Sequence, residues 1–217
     1  MNELLKEYIR LIQEGNLEQN LVSRNTTGED LLIHVYDSLV MVDYEQRLNM
    51  NEKLVIDLGS GQGLPAIPLA IMVPGSKFVL VESDLKKSLF LSQTVEKLNL
   101  KNVTVIRARI EDLGQETQYR EGYDVVTVRG LAEMSVLLEW GLPLLKVGGT
   151  LVAWKGPNLD HELEISHNAM STLGGVLVTV EKYLLEDKER ALAFVEKTGP
   201  TPSKYPRRGG IAKKRPL

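Results

Sequence analysis

The residues most able to bind a ligand lie in one glycine-rich stretch. Gly59, Gly61 and Gly63 stand at alternate positions shortly after Asp57. Glycines in such a turn allow backbone N–H groups to approach a ligand closely at the start of a helix. The spacing differs from the G-x-G-x-x-G of dinucleotide folds, and no Lys-Ser/Thr pair follows, as it would in a loop for nucleoside triphosphates. The stretch therefore predicts a backbone-lined ligand site of another kind.

A second candidate, Glu82, ends the apolar run 77–82, roughly 20 residues beyond the first glycine. A carboxylate at this place in an α/β fold can accept both hydroxyls of a ribose. Ser83 and Asp84 follow it and could cap a helix, which would give the acidic cluster a structural role. An acid here also suits a nicotinamide cofactor, so Glu82 predicts a nucleoside ligand without choosing among cofactors.

Basic residues follow the apolar runs 123–128 and 149–154, where we predict two further strands. Because ligand sites of open α/β sheets lie beyond the carboxyl ends of the strands, Arg129 and Lys155 are expected in one crevice. An arginine there can bond a carboxylate, a phosphate or a guanine edge, and a structural ion pair is the alternative. The residues after the run 103–106 can border an adenine, or Glu111 can serve as helix N-terminal charge.

Two amphipathic helices are predicted before the glycine stretch, over 1–14 and roughly 28–48, with Gly15 ending the first. Three polar residues of the second helix lie side by side, one turn apart: His34, Asp37 and Ser38. They either reach over an adjacent pocket or form a satisfied surface network.

Strand and helix patterns alternate from residue 53 onward, which is typical of a parallel sheet covered on both faces. The predicted strands are 53–57, 77–82, 103–106, 123–128 and 149–154, followed by an antiparallel pair at 176–180 and 190–195. The predicted helices between them are 64–73, 84–98, 109–113 and 131–145.

The composition is that of a globular protein of one domain with small appendages, with 217 residues of which 43% are apolar and 25% charged. The absence of cysteine excludes disulfides and thiolate metal sites and fits a cytoplasmic location. No apolar run reaches the length that spans a bilayer, and the N-terminus is unlike a signal peptide.

Charge is distributed unevenly along the chain. The net charge is −3, yet residues 200–217 carry six basic residues and no acidic one. An acidic body with a basic tail indicates local contact with a polyanion, although a solubilising tail has the same composition. We predict an N-terminal helical cap over 1–50, a main domain over 51–199 and a basic C-terminal tail over 200–217.

An ordered set of segments carries a family resemblance. They are Asn16 to Leu21, His34 with Asp37-Ser38-Leu39, the glycine stretch, Glu82-Ser83 with Lys86-Lys87, Phe90-Leu91, Arg109-Ile110-Glu111, Val128-Arg129, Leu151 to Gly156, and Tyr205-Pro206-Arg207-Arg208. Asp57 and the alternate glycines are similar to the first motif of S-adenosylmethionine-dependent methyltransferases. As a set, the segments resemble the bacterial small-subunit ribosomal RNA guanine-N7 methyltransferase G family, also called glucose-inhibited division protein B.

The resemblance implies a Rossmann-like class I methyltransferase. Its sheet would be mostly parallel and seven-stranded, with helices on both faces and an N-terminal helical cap. The implied cofactor is S-adenosyl-L-methionine, with Glu82 holding the ribose. Loop and resemblance together assign the cofactor contacts to Asp57, Gly59, Ser60, Gly61, Gly63, Leu64, Glu82, Ala108, Ile110, Glu111 and Arg129.

The implied activity is methyl transfer to N7 of a guanine in 16S ribosomal RNA. That nitrogen has a free lone pair, so alignment and the field of the pocket would supply catalysis without a general base. The predicted catalytic residues are Arg129 and Lys155. The predicted RNA contacts are His34, Lys155, Arg207, Arg208, Lys213, Lys214 and Arg215. The expected partner is 16S ribosomal RNA or a small-subunit assembly intermediate, bound by a monomer with no membrane contact.

The chain departs from the family pattern at Ala66, Gly130 and Ala212, all exchanges among small residues or proline. These exchanges leave the predicted cofactor site unchanged, whereas the contacts with RNA are less well defined by the sequence. Two other readings remain open: a methyltransferase for a small molecule or protein, and an oxidoreductase with a nicotinamide cofactor. The glycine spacing argues against the oxidoreductase.

Overall fold

A computed structural model describes residues 2–19, 27–43 and 49–217 of the chain. Two predictions reach beyond these ranges. The end of the segment Asn16 to Leu21 and the end of the helix predicted over 28–48 lie outside the described residues.

Helices α1 (Glu3–Gln19) and α2 (Gly28–Asp43) precede the sheet. The strands are β1 (Leu54–Leu58), β2 (Lys77–Glu82), β3 (Val103–Arg107), β4 (Tyr123–Arg129), β5 (Leu145–Lys155), β6 (Gly175–Leu185) and β7 (Lys188–Lys197). The later helices are α3 (Ala66–Met72), α4 (Leu85–Lys97), α5 (Ile110–Leu113), α6 (Met134–Gly141), α7 (Leu159–Ile165), α8 (His167–Leu173) and α9 (Ile211–Lys214). A 3-10 turn, Leu142–Leu144, follows α6.

Within the described ranges, seven strands form one sheet in the order β3-β2-β1-β4-β5-β7-β6. The first five are parallel, and β7 pairs antiparallel with both β5 and β6. The predicted seven-stranded, mostly parallel sheet is thereby confirmed. The strand order changes direction between β1 and β4, and ligands of such sheets bind in the crevice at this switch.

Both faces of the sheet are buried. Val55 belongs to the apolar cluster beneath α1, α2, α3 and α4, whereas Ile56 and Leu58 belong to the cluster beneath α6 and α8. Successive strand side chains point to opposite faces, so the continuous apolar run of β1 serves both clusters. The two-sided cover holds the carboxyl ends of β1, β2 and β4 in fixed relative positions.

Several predicted boundaries were wrong. Helix α1 continues through Gly15 to Gln19, since a single glycine costs only about 1 kcal/mol in a helix and no proline follows it. The helix predicted over 131–145 is shorter, because Pro143 lies in the 3-10 turn, and β5 begins at Leu145 with an irregular register against β4. Helices α7 and α8 were not predicted.

The C-terminal segment, defined here as residues 200–217, packs on the body. Tyr205 and Ala212 are buried in the cluster beneath α6. The Arg120 guanidinium donates to the carbonyl of Tyr205 at 2.7 Å and to that of Thr201 at 2.8 Å. Among the described helices, none combines the length and apolar character needed to cross a membrane.

Candidate cofactor and substrate site

A cavity of about 510 Å³ opens at the carboxyl ends of β1, β2 and β4 and is called here the main cavity. Most predicted cofactor contacts line it: Gly59, Ser60, Gly61, Leu64, Glu82, Ala108, Ile110, Glu111 and Arg129. Asp57 and Gly63 are not among the lining residues. A volume of this size suits a small-molecule ligand or cofactor.

The glycine loop takes a backbone course that side chains rarely allow. Gly59, Gly61 and Gly63 have φ values of +67°, +58° and +107°. A Cβ on Gly59 would also lie 2.7 Å from the Leu131 side chain. The alternate glycines are therefore required by this turn, and they bring the loop backbone to the cavity surface.

Glu82 ties the loop to the end of β2. Its Oε2 accepts the N–H of Gly61 at 3.0 Å, and its Oε1 accepts the N–H of Asp84 at 2.8 Å. Each carboxylate oxygen has two lone pairs, so each retains the capacity for one further donor. Glu82 lines the main cavity with this capacity, as an acceptor of two ribose hydroxyls requires.

Asp57 is a buried carboxylate beneath the loop. Its Oδ1 accepts the Thr127 hydroxyl at 2.7 Å, while its Oδ2 has no hydrogen-bond partner among the described residues. Burial raises the pKa of Asp57 to about 6, opposed by the hydroxyls of Ser60 and Thr127 and by the charge of Arg129. Asp57 is thus an acceptor poised between its charged and neutral forms.

The loop is also held from the N-terminal helices, which sequence reasoning missed. The hydroxyl of Tyr8 on α1 donates to the carbonyl of Gln62 at 3.0 Å, and Tyr8 is completely buried. Burial raises the pKa of Tyr8, so this hydroxyl stays protonated as a donor. In the sequence, Tyr8 lies within the first predicted amphipathic helix, and no local signal marks its partner.

Arg129 is fixed by the predicted polar group on α2. Its Nη1 donates to Oδ2 of Asp37 at 2.8 Å and to the carbonyl of His34 at 3.2 Å. The other oxygen of Asp37 accepts the Tyr183 hydroxyl at 2.6 Å. This network leaves the Arg129 side chain 16% exposed and directs it between α2 and the sheet.

A second cavity of about 280 Å³ adjoins the main one, and Arg129 and Gly130 line both. His34 and Lys155 line this second cavity together with cationic residues of the β6–β7 hairpin. Burial and the charge of Arg129 lower the pKa of His34, which favours its neutral form. Ser38 instead donates to the carbonyl of His34 at 2.8 Å, a bond within the helix.

Lys155 is paired inside the protein. Its Nζ donates to the carbonyl of Ala132 at 3.0 Å and forms an ion pair with Glu162, with the side chain 8% exposed. A catalytic or RNA-binding role for Lys155 stays a prediction. In the structure, its main contacts join β5 to α7.

The basic residues of the C-terminal segment divide into two groups. Five of the six are exposed: Lys204, Arg208, Lys213, Lys214 and Arg215. Arg207 donates from Nε to Oε1 of the buried Glu139 at 2.9 Å, so its charge is already balanced. Its predicted RNA contact therefore stays untested, and the other five are the available cations.

The fold and this site define a class. The switch-point cavity, alternate-glycine loop and strand-end acid belong to a class I S-adenosylmethionine-dependent methyltransferase. A solved methyltransferase of this kind from Aquifex aeolicus superposes with a TM-score of 0.59 at 19% identity, covering 76% of this chain and 92% of that one. A putative O-methyltransferase from Klebsiella pneumoniae has a TM-score of 0.61 at 10% identity, with coverages of 92% and 91%.

Sequence relatives narrow the class to a family. The sequence model of the protein family described as rRNA small subunit methyltransferase G matches residues 1–193 of this chain. The protein of that name from Syntrophomonas wolfei is 42% identical, covering 98% of both chains. The one from Carboxydothermus hydrogenoformans is 43% identical, covering 99% of this chain and 91% of the relative. The chain belongs to the rRNA small subunit methyltransferase G family.

Proposed function

We propose that this protein transfers the methyl group of S-adenosylmethionine to N7 of a guanine in 16S ribosomal RNA. The observation that carries the proposal is the pair of adjoining cavities that share Arg129. One has the features of a nucleoside cofactor site, and the other opens beside it with both basic and acidic residues in its lining. Family membership over nearly the whole chain supports a ribosomal RNA substrate.

The residues of the main cavity fit S-adenosylmethionine. Glu82 presents a carboxylate with spare acceptor capacity for the ribose hydroxyls, and Ile110 and Glu111 border the space beside it for the adenine. The loop backbone at Gly59 and Gly61 faces the rest of the cofactor. When bound, this cofactor supplies an electrophilic methyl group on a sulfonium centre.

Methyl transfer to this nitrogen requires the protein to align guanine N7 with the methyl group, and it requires no removal of a proton. Guanine N7 has a lone pair at neutral pH, so a nucleobase held in line with the methyl group needs no general base. Arg129 suits the alignment role because Asp37 and the carbonyl of His34 restrict its guanidinium. A fixed cation at the junction of the two cavities can orient the base and shape the local field.

The second cavity would receive the guanine, splayed out of its RNA strand as single-stranded bases are when read by proteins. His34 and Lys155 line it, and the hairpin adds Lys188 and Arg190 together with the acidic Glu186. The exposed cations of the C-terminal segment would contact phosphates. We further propose that the protein acts as a monomer in the cytoplasm, on 16S ribosomal RNA or a small-subunit assembly intermediate.

Transfer of labelled methyl groups tests this function. The protein is incubated with methyl-labelled S-adenosylmethionine and with naked 16S RNA, or with small subunits, from cells that lack the enzyme. We expect label in the RNA. Chemical cleavage of the RNA strand selectively at N7-methylguanine should then map the methylated guanine to one position. Glu82→Ala serves as a control that abolishes labelling. Label on protein or metabolites with blank RNA would overturn the proposal.

A further inference from the structure

The C-terminal segment contributes surface to the main cavity. Gly210 and Lys213 line that cavity beside Glu111 and Trp140. The N–H of Gly210 donates to Oε1 of Glu111 at 2.9 Å, and Nζ of Lys213 lies 5.3 Å from the Trp140 ring centre. The segment thus touches the residue that borders the proposed adenine position.

A buried ion pair fixes the course of the segment. Glu139 on α6 is 1% exposed, and its Oε1 accepts both Nε of Arg207 at 2.9 Å and the Arg207 N–H at 2.8 Å. Nη2 of Arg207 also donates to the carbonyl of Arg215 at 2.8 Å, which ties the far end of the segment back to its middle. A buried carboxylate requires such a partner, so Arg207 cannot leave without a cost.

Further bonds hold the part of the segment before Arg207. The side chain of Gln115 donates to the carbonyl of Pro206 at 2.6 Å, and Arg120 holds the carbonyls of Thr201 and Tyr205. With both Pro206 and Arg207 anchored, the following residues have a defined path along the cavity rim. The family model ends at residue 193, before any of these contacts.

We infer that the C-terminal segment is a wall of the cofactor cavity, and that Arg207 is a positioning residue for cofactor binding. Arg207 acts through Glu139, which places Gly210 against Glu111. The inference rests on the proposed function, because it takes S-adenosylmethionine to be the ligand of the main cavity. RNA that contacts the exposed cations of the segment would then touch a wall of the cofactor site itself.

Two neighbouring arginines provide a matched test. S-Adenosylmethionine affinity is measured by calorimetry for the wild type, Arg207→Ala, Arg207→Lys and Arg208→Ala. We expect Arg207→Ala to weaken binding about tenfold or more, Arg207→Lys to restore part of it, and Arg208→Ala to stay within about twofold. Both alanine variants lose one positive charge, so an effect of net charge alone would weaken cofactor affinity equally in the two. If the segment is a wall of the cavity, Arg207→Ala should weaken cofactor affinity more than Arg208→Ala.

The unfolding midpoint of each ligand-free variant is measured alongside, since a purely structural role would lower the midpoint and leave the affinity of the folded protein unchanged. That result, or equal affinities for the two alanine variants, would overturn the inference. Failure of the wild type to bind would overturn the cofactor assignment and this inference with it. If the wild type binds S-adenosylmethionine and the two alanine variants differ in affinity, the cofactor assignment and this inference are both supported.

Trypsin cleavage of the wild type tests the inference even if Arg207→Ala does not fold. The segment has exposed trypsin sites at Arg208, Lys213 and Lys214. We expect S-adenosylmethionine to slow the loss of the C-terminal peptide severalfold, followed by mass spectrometry of the intact chain. We also expect Lys213→Ala, which removes a side chain that lines the main cavity, to weaken S-adenosylmethionine binding a few-fold. Unchanged cleavage with unchanged Lys213→Ala affinity would overturn the inference.

Discussion

At the scale of single residues, the site depends on buried polar groups whose bonds are only partly satisfied. Glu82 uses one bond on each oxygen to hold the loop and its neighbouring turn and keeps acceptor capacity on both. Asp57 has one oxygen bonded to Thr127 and the other without a partner among the described residues. A buried acceptor without a partner reduces the stability of the free protein, and Glu82, which lines the main cavity, is a favourable position for ligand donors.

Asp57 leads to a prediction on pH. The unfolded carboxyl releases its proton near pH 4, whereas the folded one has a pKa of about 6, so the folded state binds more protons between these values. The stability of the wild type relative to Asp57→Asn should therefore fall as pH rises from about 4 to 6, by up to about 3 kcal/mol, and then level off. Urea unfolding of both proteins from pH 4.5 to 7.5 measures the difference.

Asp84 provides the control, because its pKa is shifted the other way. The N–H of Lys87 bonds its carboxylate and lowers its pKa, so its contribution to stability is complete above about pH 4 and declines only below that. The difference between the wild type and Asp84→Asn should be constant over the same range. A flat profile for Asp57→Asn would contradict the raised pKa of Asp57.

At the scale of elements, Asp37 joins α2 to the sheet. Its carboxylate accepts Arg129 from the end of β4 and Tyr183 from β6, and its carbonyl accepts the indole N–H of Trp154 on β5 at 2.9 Å. One acid thereby connects the helical cap to three strands at the junction of the two cavities. The position of Arg129 is consequently a property of several packed elements.

Tyr183→Phe should destabilise the fold by about 1–3 kcal/mol, because it removes a hydrogen bond to a buried carboxylate and fills the space almost unchanged. The exposed Tyr36 on α2 provides a matched control that loses the same hydroxyl. Tyr36→Phe should stay within about 0.5 kcal/mol of the wild type. Denaturant unfolding compares them, and similar losses for both variants would refute the role of the Asp37 network.

At the scale of the whole molecule, charge is separated in space as well as in sequence. Arg208, Lys213, Lys214 and Arg215 are exposed on a segment that packs beside the main cavity. The remainder of the chain is acidic, so overall attraction to a polyanion is weak and the approach is local. Phosphate contacts near the cavity would place an RNA strand where its base can enter.

This arrangement predicts a change in salt dependence. The double variant Arg208→Ala with Lys214→Ala should lower the slope of log affinity for RNA against log salt by roughly 1–2, about one for each phosphate that the variant no longer neutralises. Lys77→Ala with Lys101→Ala removes the same charge from exposed positions at the amino ends of β2 and β3, whereas the main cavity lies at the carboxyl ends of the strands. Binding to 16S RNA is measured over a range of salt. Equal slopes for the two double variants would exclude the segment as the phosphate-binding surface.

The sequence by itself determined the alternation of strands and helices, the glycine loop, and the acid and arginine that end β2 and β4. These are local signals: a buried strand requires an apolar run, and a tight loop requires glycine, whatever lies elsewhere in the chain. Only the tertiary structure decided that Tyr8 binds Gln62, that Asp37 holds Arg129, and that Arg207 pairs with Glu139. Those partners are far apart in sequence and meet because helices pack on a sheet, which residue spacing does not encode.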